Sequence, residues 1–178
     1  MREEVIIAGH GGQGILFMGA MLANAAMVEG LDVTFFPSYG AEMRGGTASG
    51  GLVISDKKIG SPVVTKPSSL IIMNEFALEK FYYTLHDKGI VIINSSLISR
   101  MPKRDNIKVV KIPATQFAEV LGDIRVANMI ALGSYIKETG IVSLESAIKS
   151  LYALLKGTKR ALIDINEKAL KLGTSDEY

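Results

Sequence analysis

Short apolar runs alternate with helical patterns over the first two thirds of the chain. The runs suit strands buried in a parallel sheet, because such strands are covered on both faces. The predicted strands are 5–8, 32–36, 69–73, 90–93 and 107–112. Helices are predicted over 15–29 and 75–81, between these strands, and over 114–121, after the last of them. This alternation predicts an α/β fold with a mostly parallel, Rossmann-like sheet and helices on both of its faces.

The last third of the chain is predicted to be helical. Apolar residues at helical spacing indicate helices over 125–138, 144–155 and 158–172. Gly140 is typical of a helix end, and Ser143 is typical of a helix N-cap. Neither a repeat nor a linker divides the sequence, so we expect residues 1–178 to form a single α/β domain.

A glycine-rich stretch, residues 38–51, follows the second predicted strand. It contains five glycines, and we interpret it as a long loop that runs into an edge strand near 51–55. Pro37 is expected to end the strand before it, because proline cannot donate a hydrogen bond to a ladder.

Composition and charge narrow the classes of function. The chain has 178 residues, of which 48% are apolar and 21% charged, as expected of a folded protein rather than a disordered one. The formal net charge is only +2, without the basic stripe of nucleic-acid binders. No apolar run is long enough to span a bilayer, and the charged start does not resemble a signal peptide. We therefore expect a cytoplasmic protein that binds neither nucleic acid nor membrane.

The side chains that commonly carry catalysis are scarce. The chain has no cysteine, which excludes disulfides and cysteine-ligated iron–sulfur clusters within it. The two histidines, His10 and His86, lie far apart in sequence and predict neither a zinc site nor an acid–base triad. There is no Gly-x-Ser-x-Gly elbow either. We therefore expect no catalytic residue and no metal site on this chain.

A glycine turn, residues 9–14 with the sequence Gly-His-Gly-Gly-Gln-Gly, joins the first predicted strand to the first predicted helix. Glycine permits a tight turn and lets backbone N–H groups approach an anion, and the helix behind contributes its positive N-terminal end. One interpretation is a site for a phosphate-bearing ligand, such as coenzyme A, formed by Gly9, Gly11, Gly12, Gln13 and Gly14. The other is that these glycines serve only the turn and the packing of strand against helix.

Two familiar nucleotide sites do not fit this turn. A dinucleotide site needs an acidic residue near the end of the second strand, where it holds the ribose hydroxyls. That strand ends in residues 35–37, Phe-Phe-Pro, while Glu29 and Asp32 come too early. The sequence also lacks G-x-x-x-x-G-K-[ST], so it does not predict a P-loop.

A second candidate site follows the carboxyl end of the second strand, the edge at which ligands bind in open α/β sheets. Arg44 can bind a carboxylate or phosphate through two parallel hydrogen bonds. The alternative is a solvated loop with a weak surface pair between Glu42 and Arg44. We favour a ligand or subunit contact that involves Tyr39, Glu42, Arg44 and Thr47, because glycine-rich loops of this kind are commonly functional.

Five other polar residues are weaker candidates. Asn74 and Asn94 end buried strands, and each either faces the same edge of the sheet or caps the next segment. His10 could contact a ligand, but a histidine in a loop more often faces solvent. Arg125 and Asn128 open a predicted helix, where we expect them to form hydrogen bonds within the fold.

Two stretches together resemble the gamma subunit of 2-oxoacid:ferredoxin oxidoreductases. They are the glycine turn and residues 37–47, Pro-Ser-Tyr-Gly-Ala-Glu-Met-Arg-Gly-Gly-Thr. Residues 59–64, 73–74 and 128–133 fit the same family, so the resemblance covers nearly the whole chain. The second stretch is most similar to subunits of 2-oxoglutarate and branched-chain 2-oxoacid enzymes.

The resemblance implies a complex that oxidatively decarboxylates a 2-oxoacid, here favoured to be 2-oxoglutarate, to its acyl-CoA and reduces ferredoxin. Thiamine diphosphate and iron–sulfur clusters would belong to other subunits or domains, and the implied partners are alpha and beta subunits, with a delta subunit as a further candidate. The lack of cysteine agrees with this, and so does the one Gly-Asp pair, Gly122-Asp123, which continues as Ile-Arg-Val instead of the thiamine pattern Gly-Asp-Gly. Two alternatives stay open: a stand-alone nucleotide-binding oxidoreductase and a purely structural subunit.

Overall fold

The computed structural model describes residues 1–39, 47–100 and 103–175. These residues form six strands and six α-helices. The strands are β1 (Arg2–His10), β2 (Asp32–Tyr39), β3 (Thr47–Ser55), β4 (Ser69–Ile72), β5 (Ile90–Asn94) and β6 (Lys108–Ile112). The helices are α1 (Ile15–Val28), α2 (Glu75–Phe81), α3 (Ala114–Val120), α4 (Ala127–Thr139), α5 (Leu144–Leu154) and α6 (Ile163–Gly173). Short 3₁₀ turns occupy Tyr82–Thr84, Ile124–Val126 and Gly157–Leu162.

All six strands join one sheet in the order β2-β3-β1-β4-β5-β6. Strands β1, β4, β5 and β6 are parallel, whereas β3 is antiparallel to both of its neighbours. Three of the five neighbouring pairs are therefore parallel, which confirms the predicted mostly parallel sheet. The chain leaves β1 through α1 towards one edge of the sheet and leaves β4 through α2 towards the other.

The prediction of a loop over residues 38–51 is wrong at both ends. Strand β2 continues through Pro37 to Tyr39, and Pro37 pairs with Gly50. Because β2 lies at the edge of the sheet, a proline is tolerated there without the loss of a central ladder bond. Strand β3 begins at Thr47 and lies between β2 and β1, so it is an interior strand instead of the predicted edge strand.

Glycines in α1 and β3 make room for the ring of Phe35. A Cβ atom added to Gly19 of α1 would lie 2.5 Å from Cζ of Phe35, and one added to Gly50 of β3 would lie 2.5 Å from its Cε2. The ring therefore occupies space that a side chain at either glycine would need. Gly19 thus lets α1 lie close to the sheet at Phe35, and the position of the ring explains why an interior strand contains glycines that resemble a loop signal.

Helices cover both faces of the sheet, as predicted. The larger core lies under α1 and α3–α6, and the smaller core lies under α2. Strand β1 contributes to both, since its side chains alternate: Val5 and Ile7 join the larger core, and Ile6 and Ala8 join the smaller one. The predicted helical C-terminal third is also confirmed. Among the described residues, no helix combines the length and apolar character that crossing a bilayer requires.

Helices α4 and α6 approach each other closely at a pair of glycines. A Cβ atom on Gly133 would collide with the carbonyl oxygen of Leu170, and one on Gly173 would collide with that of Ile130. Both obstacles are backbone atoms, which cannot move aside as the end of a side chain does. Because α4 is buried over ten successive residues, this crossing supports much of the larger core.

Substituting Gly133→Ala is expected to lower the free energy of unfolding by about 1–3 kcal/mol, because the added methyl group must force α6 away from α4. Alanine is the better helix former by about 1 kcal/mol, which opposes this loss without cancelling it. Urea unfolding of the full chain measures the difference. Gly60→Ala is the control, since its added Cβ atom meets nothing within 4 Å. Equal stability of the two variants would contradict the packing argument.

Candidate functional site

The glycine turn lies at the carboxyl end of β1, next to the carboxyl end of β4. The helices that follow these two adjacent strands lead to opposite edges of the sheet. This is the topological switch point of the fold, and ligands of open α/β sheets bind in the crevice at such a point. The sheet therefore locates the predicted turn where a ligand site is expected.

Backbone geometry in the turn depends on glycine at two positions. The N–H group of Gln13 donates to the carbonyl of His10 at 3.2 Å and closes the turn. Gly12 and Gly14 have φ angles of +94° and +69°, a conformation that favours glycine. Helix α1 then begins at Ile15 with no side-chain cap and no acidic residue in its first turn. Its first N–H groups therefore keep their capacity to bind an acceptor.

The side chain of Gln13 fastens the start of the turn. Its Oε1 accepts the N–H of His10 at 2.9 Å, and its Nε2 donates to the carbonyl of Met73, just beyond β4, at 3.2 Å. A Cβ atom on Gly9 would lie 2.5 Å from this Oε1 and 2.7 Å from Cδ1 of Ile15. Glycine at position 9 therefore leaves room for the side chains of Gln13 and Ile15, and the Gln13 amide serves the fold.

Asn128, the second residue of α4, fastens the other end. Its Nδ2 donates to the carbonyl of Gly14 at 3.1 Å, and its Oδ1 accepts the N–H of Met129 at 2.8 Å. A Cβ atom on Gly14 would collide with Nδ2. The expectation that Asn128 forms hydrogen bonds within the fold is confirmed, although its contact with the turn was not foreseen.

The middle of the turn is open. A Cβ atom added to Gly11 or Gly12 would meet nothing within 4 Å. Gly12 still needs glycine for its positive φ, whereas Gly11 lies outside that region of backbone conformation. Contacts and conformation within the described chain thus account for Gly9, Gly12 and Gly14, and they do not account for Gly11.

Two of the cavities formed by the described residues flank this open part. One, of about 340 Å³, lies at the carboxyl edge of the sheet, with Met73, Leu97 and Ile124 among its apolar lining. The other, of about 440 Å³, lies between α1 and the C-terminal helices, with Phe17, Leu154 and Leu162 among its apolar lining. Gly12 and Arg125 line both. Both volumes fall within the usual range for small-molecule sites.

Arg125 places a cation beside both cavities. Its Nε and Nη2 atoms bind the carboxylate of Asp123, at 2.9 Å from Oδ1 and 2.6 Å from Oδ2 respectively. The guanidinium lowers the pKa of the Asp123 carboxyl below its usual value, and the carboxylate raises the pKa of Arg125. The Arg125 side chain is 72% exposed, so this pairing orients the guanidinium while leaving it open to an anion. Lys159 adds a second cation to the wall of the larger cavity.

One member of the second candidate site lies beside the turn. Thr47 pairs with His10 in the ladder between β1 and β3, and Tyr39 ends β2 at the same edge of the sheet. Glu42 and Arg44 lie outside the described residues, as does the side chain of Tyr39. The ligand or subunit contact assigned to these four residues stays a prediction.

The weaker candidates mostly serve the fold. Asn74 caps α2, since its Oδ1 accepts the N–H of Ala77 at 2.8 Å. Asn94 is fully buried and donates through Nδ2 to Oγ1 of Thr115 at 2.8 Å. His10 is exposed and lines the smaller cavity, and its Nδ1 lies 2.7 Å from the neighbouring carbonyl oxygen. Within ranges 1–39, 47–100 and 103–175, no three His, Asp or Glu side chains form a group that could hold a metal ion.

Sequence reasoning missed the walls of the larger cavity. Phe17 lies on α1, Leu154 on α5, and Lys159 in the 3₁₀ turn before α6. Helical periodicity indicates which side chains avoid solvent, but it cannot show which helices meet. No local signal in the sequence connects these three residues.

Comparison with known proteins gives related sequences over the whole fold. Residues 4–175 match the family model described as pyruvate ferredoxin/flavodoxin oxidoreductase. The chain is 38% identical over 171 residues to the ketoisovalerate oxidoreductase subunit VorA of Methanothermobacter marburgensis, covering 96% of this chain and 35% of VorA. It thus spans about a third of the length of that relative. It is 37% identical over 164 residues to the 2-oxoglutarate synthase subunit KorC of Methanocaldococcus jannaschii, covering 89% of this chain and 87% of KorC.

Solved structures share the fold. The gamma subunit of a keto/oxoacid ferredoxin oxidoreductase from Geobacter sulfurreducens gives a TM-score of 0.84 at 29% identity, covering 97% of this chain and 96% of that one. A second structure is a 2-oxoglutarate:ferredoxin oxidoreductase from Magnetococcus marinus with 2-oxoglutarate, coenzyme A and succinyl-CoA bound. It gives a TM-score of 0.87 at 23% identity, covering 97% of this chain and 30% of that one. The predicted resemblance to gamma subunits is confirmed. This chain belongs to the pyruvate ferredoxin/flavodoxin oxidoreductase family.

Proposed function

We propose that this chain works as the gamma subunit of a cytoplasmic 2-oxoacid:ferredoxin oxidoreductase, and that its glycine turn binds a phosphate group of coenzyme A. The complex would decarboxylate a 2-oxoacid oxidatively, join the acyl group to coenzyme A and reduce ferredoxin. Family membership supports the role of the chain. The coenzyme A bound in the Magnetococcus marinus enzyme, which shares this fold over 30% of its chain, supports the choice of ligand.

One observation carries the coenzyme A proposal: the open backbone at Gly11 lies at the switch point of the sheet, just before the uncapped N-terminus of α1. An added Cβ atom at Gly11 would meet nothing within 4 Å, and its φ lies outside the region that favours glycine. At this position, unlike at Gly60, a ligand against the backbone would lie beside the N–H groups of a helix N-terminus. Phosphate oxygens reach backbone N–H groups only where no side chain comes between them.

Charge around the turn also favours a phosphate. The uncapped N-terminus of α1 carries a partial positive charge, which stabilises an anion by about 0.3–1 kcal/mol. Arg125 and Lys159 add full positive charges nearby, against the single carboxylate of Asp123. The apolar lining of the larger cavity suits a ligand that combines phosphates with less polar groups, as coenzyme A does.

The other groups of such a complex do not fit this chain. The chain has no cysteine to hold an iron–sulfur cluster. Asp123, in its only Gly-Asp pair, is engaged with Arg125 and is followed by the wrong residues for the thiamine pattern. We therefore assign no redox or bond-cleavage step to this chain. Alpha and beta subunits, with a delta subunit as a further partner, would carry thiamine diphosphate and the clusters and would reduce ferredoxin.

Two rival functions fit the observations less well. A stand-alone NAD-dependent oxidoreductase needs an acidic side chain near the end of β2, but the one carboxylate of that strand, Asp32, lies at its start. A purely structural subunit would use the open turn only as an interface, and it gives no role to the two cations beside the turn, Arg125 and Lys159. Neither rival is favoured by an observation of its own.

Gly11→Asp is expected to raise the KM for coenzyme A of the assembled complex at least tenfold, because its carboxylate would occupy and repel the phosphate position. A tenfold change corresponds to about 1.4 kcal/mol. The KM for the 2-oxoacid should stay unchanged. Steady-state reduction of ferredoxin with coenzyme A varied measures the effect, and size-exclusion chromatography checks assembly.

Gly60→Asp is the matched control, because it adds the same charge at another open glycine away from the turn. It should leave the KM for coenzyme A within about twofold of the unaltered complex. Gly11→Ala should give a smaller increase than Gly11→Asp, since it adds bulk without charge. An assembled Gly11→Asp complex with an unaltered KM for coenzyme A would refute the phosphate site.

For the substrate we propose 2-oxoglutarate, with ketoisovalerate as the alternative. Similarity to KorC over most of both chains supports the first, and similarity to VorA supports the second. The assembled complex should show a kcat/KM for 2-oxoglutarate at least about tenfold above that for ketoisovalerate or pyruvate, as expected when a pocket recognises a second carboxylate. A higher value for ketoisovalerate would overturn the substrate and leave the subunit role intact.

A further inference from the structure

We propose that Asn128 is a positioning residue, which orients the N–H groups of the glycine turn and of α1 towards the phosphate. This inference rests on the proposed function, since it assumes that the turn binds coenzyme A. It assigns a binding role at a distance to a residue that lies in another helix and 114 positions from Gly14 in sequence.

The argument begins with the peptide group between Gly14 and Ile15. The carbonyl oxygen of Gly14 accepts two hydrogen bonds, one from Nδ2 of Asn128 at 3.1 Å and one from the N–H of Met18 at 2.9 Å. Because a trans peptide is planar, its N–H points opposite to its carbonyl. Holding the Gly14 carbonyl therefore also fixes the N–H of Ile15, which points out of the N-terminus of α1.

The fit between Asn128 and the turn is close and specific. Asn128 is only 3% exposed, and its Oδ1 accepts the N–H of Met129 at 2.8 Å, so both ends of its amide are engaged. Gly14 provides the space for that amide, since a Cβ atom there would collide with Nδ2. The side chain thus links the first turn of α4 to the first turn of α1.

The middle of the turn depends on its two ends. Side chains added at Gly11 and Gly12 would meet nothing within 4 Å, so no packing beside these two positions holds the turn, although the carbonyl oxygen of Gly11 lies 2.7 Å from Nδ1 of the adjacent His10. Gln13 fixes the β1 side through His10 and Met73, and Asn128 fixes the α1 side. Loss of one support should let the turn fluctuate, and a phosphate would then have to order it on binding.

The test is Asn128→Ala in the assembled complex. The KM for coenzyme A should rise about five- to tenfold, because the phosphate must then order the turn on binding, and the loss of one neutral hydrogen bond sets the upper limit of this effect. The KM for the 2-oxoacid should not change, and kcat should stay within about twofold. Should the alanine variant fail to assemble, Asn128→Ser, which leaves a smaller gap at the same point, carries the same expectation.

Asn94→Ala is the matched control. Asn94 is also a buried amide at the carboxyl edge of the sheet, but it bonds to Thr115 and Ser96 and does not reach the turn. It should lower the melting temperature and leave the KM for coenzyme A within about twofold. An equal rise in this KM for Asn94→Ala would show that general destabilisation is the cause, and it would overturn the positioning role.

Comparison with Gly11→Asp separates the two proposals. If Gly11→Asp raises the KM for coenzyme A and neither Asn128 variant does, Asn128 is not a positioning residue and the phosphate site stands. If none of these variants changes that KM, the proposed function itself fails. A rise in the KM for coenzyme A in both the Gly11 and the Asn128 variants supports the phosphate site and the positioning role of Asn128.

Discussion

The attachment of the glycine turn at both of its ends is the constraint on which the candidate site depends. Gln13 ties the turn to the segment after β4, and Asn128 ties it to α4. These attachments require β1 and β4 to lie side by side in parallel, and they require α4 to pass over α1 at Gly14. The close crossing of α4 with α6 at Gly133 supports α4 in turn. Helices late in the sequence therefore determine the shape of a turn near its beginning.

Glycines in one short motif have different physical roles. Gly9 and Gly14 leave space for side chains that pack against the turn, and Gly12 adopts a backbone angle unfavourable to other residues. Gly11 has neither role, and in the proposed function it exposes the backbone to a phosphate. The motif spacing alone cannot separate these cases, because each yields the same letter in the sequence. Only the surroundings of each Cβ position distinguish a packing glycine from a ligand glycine.

Much of the fold and part of the site follow from the sequence. The buried parallel strands are recognisable in the sequence as apolar runs. The predicted N-cap at Ser143 is confirmed, since its side chain accepts the N–H of Ser146. Strand β3 was shortened and wrongly assigned to an edge, because Gly50 and its neighbours resemble a loop until the ring of Phe35 is seen above them. The glycine turn was found from local spacing. The roles of Asn128 and Lys159 were not, since they arise from contacts between elements distant in sequence.

A subunit without reactive side chains can still contribute to catalysis in the proposed complex. Binding energy from a part of the substrate that does not react can position the part that does. Coenzyme A carries its phosphates far from its thiol, so an anchor at the glycine turn would leave the thiol free to reach a centre on another subunit. A rigid anchor binds more tightly than a mobile one, because a mobile turn must lose conformational entropy when the phosphate orders it. The two amide attachments, from Gln13 and Asn128, provide that rigidity on either side of the open positions Gly11 and Gly12.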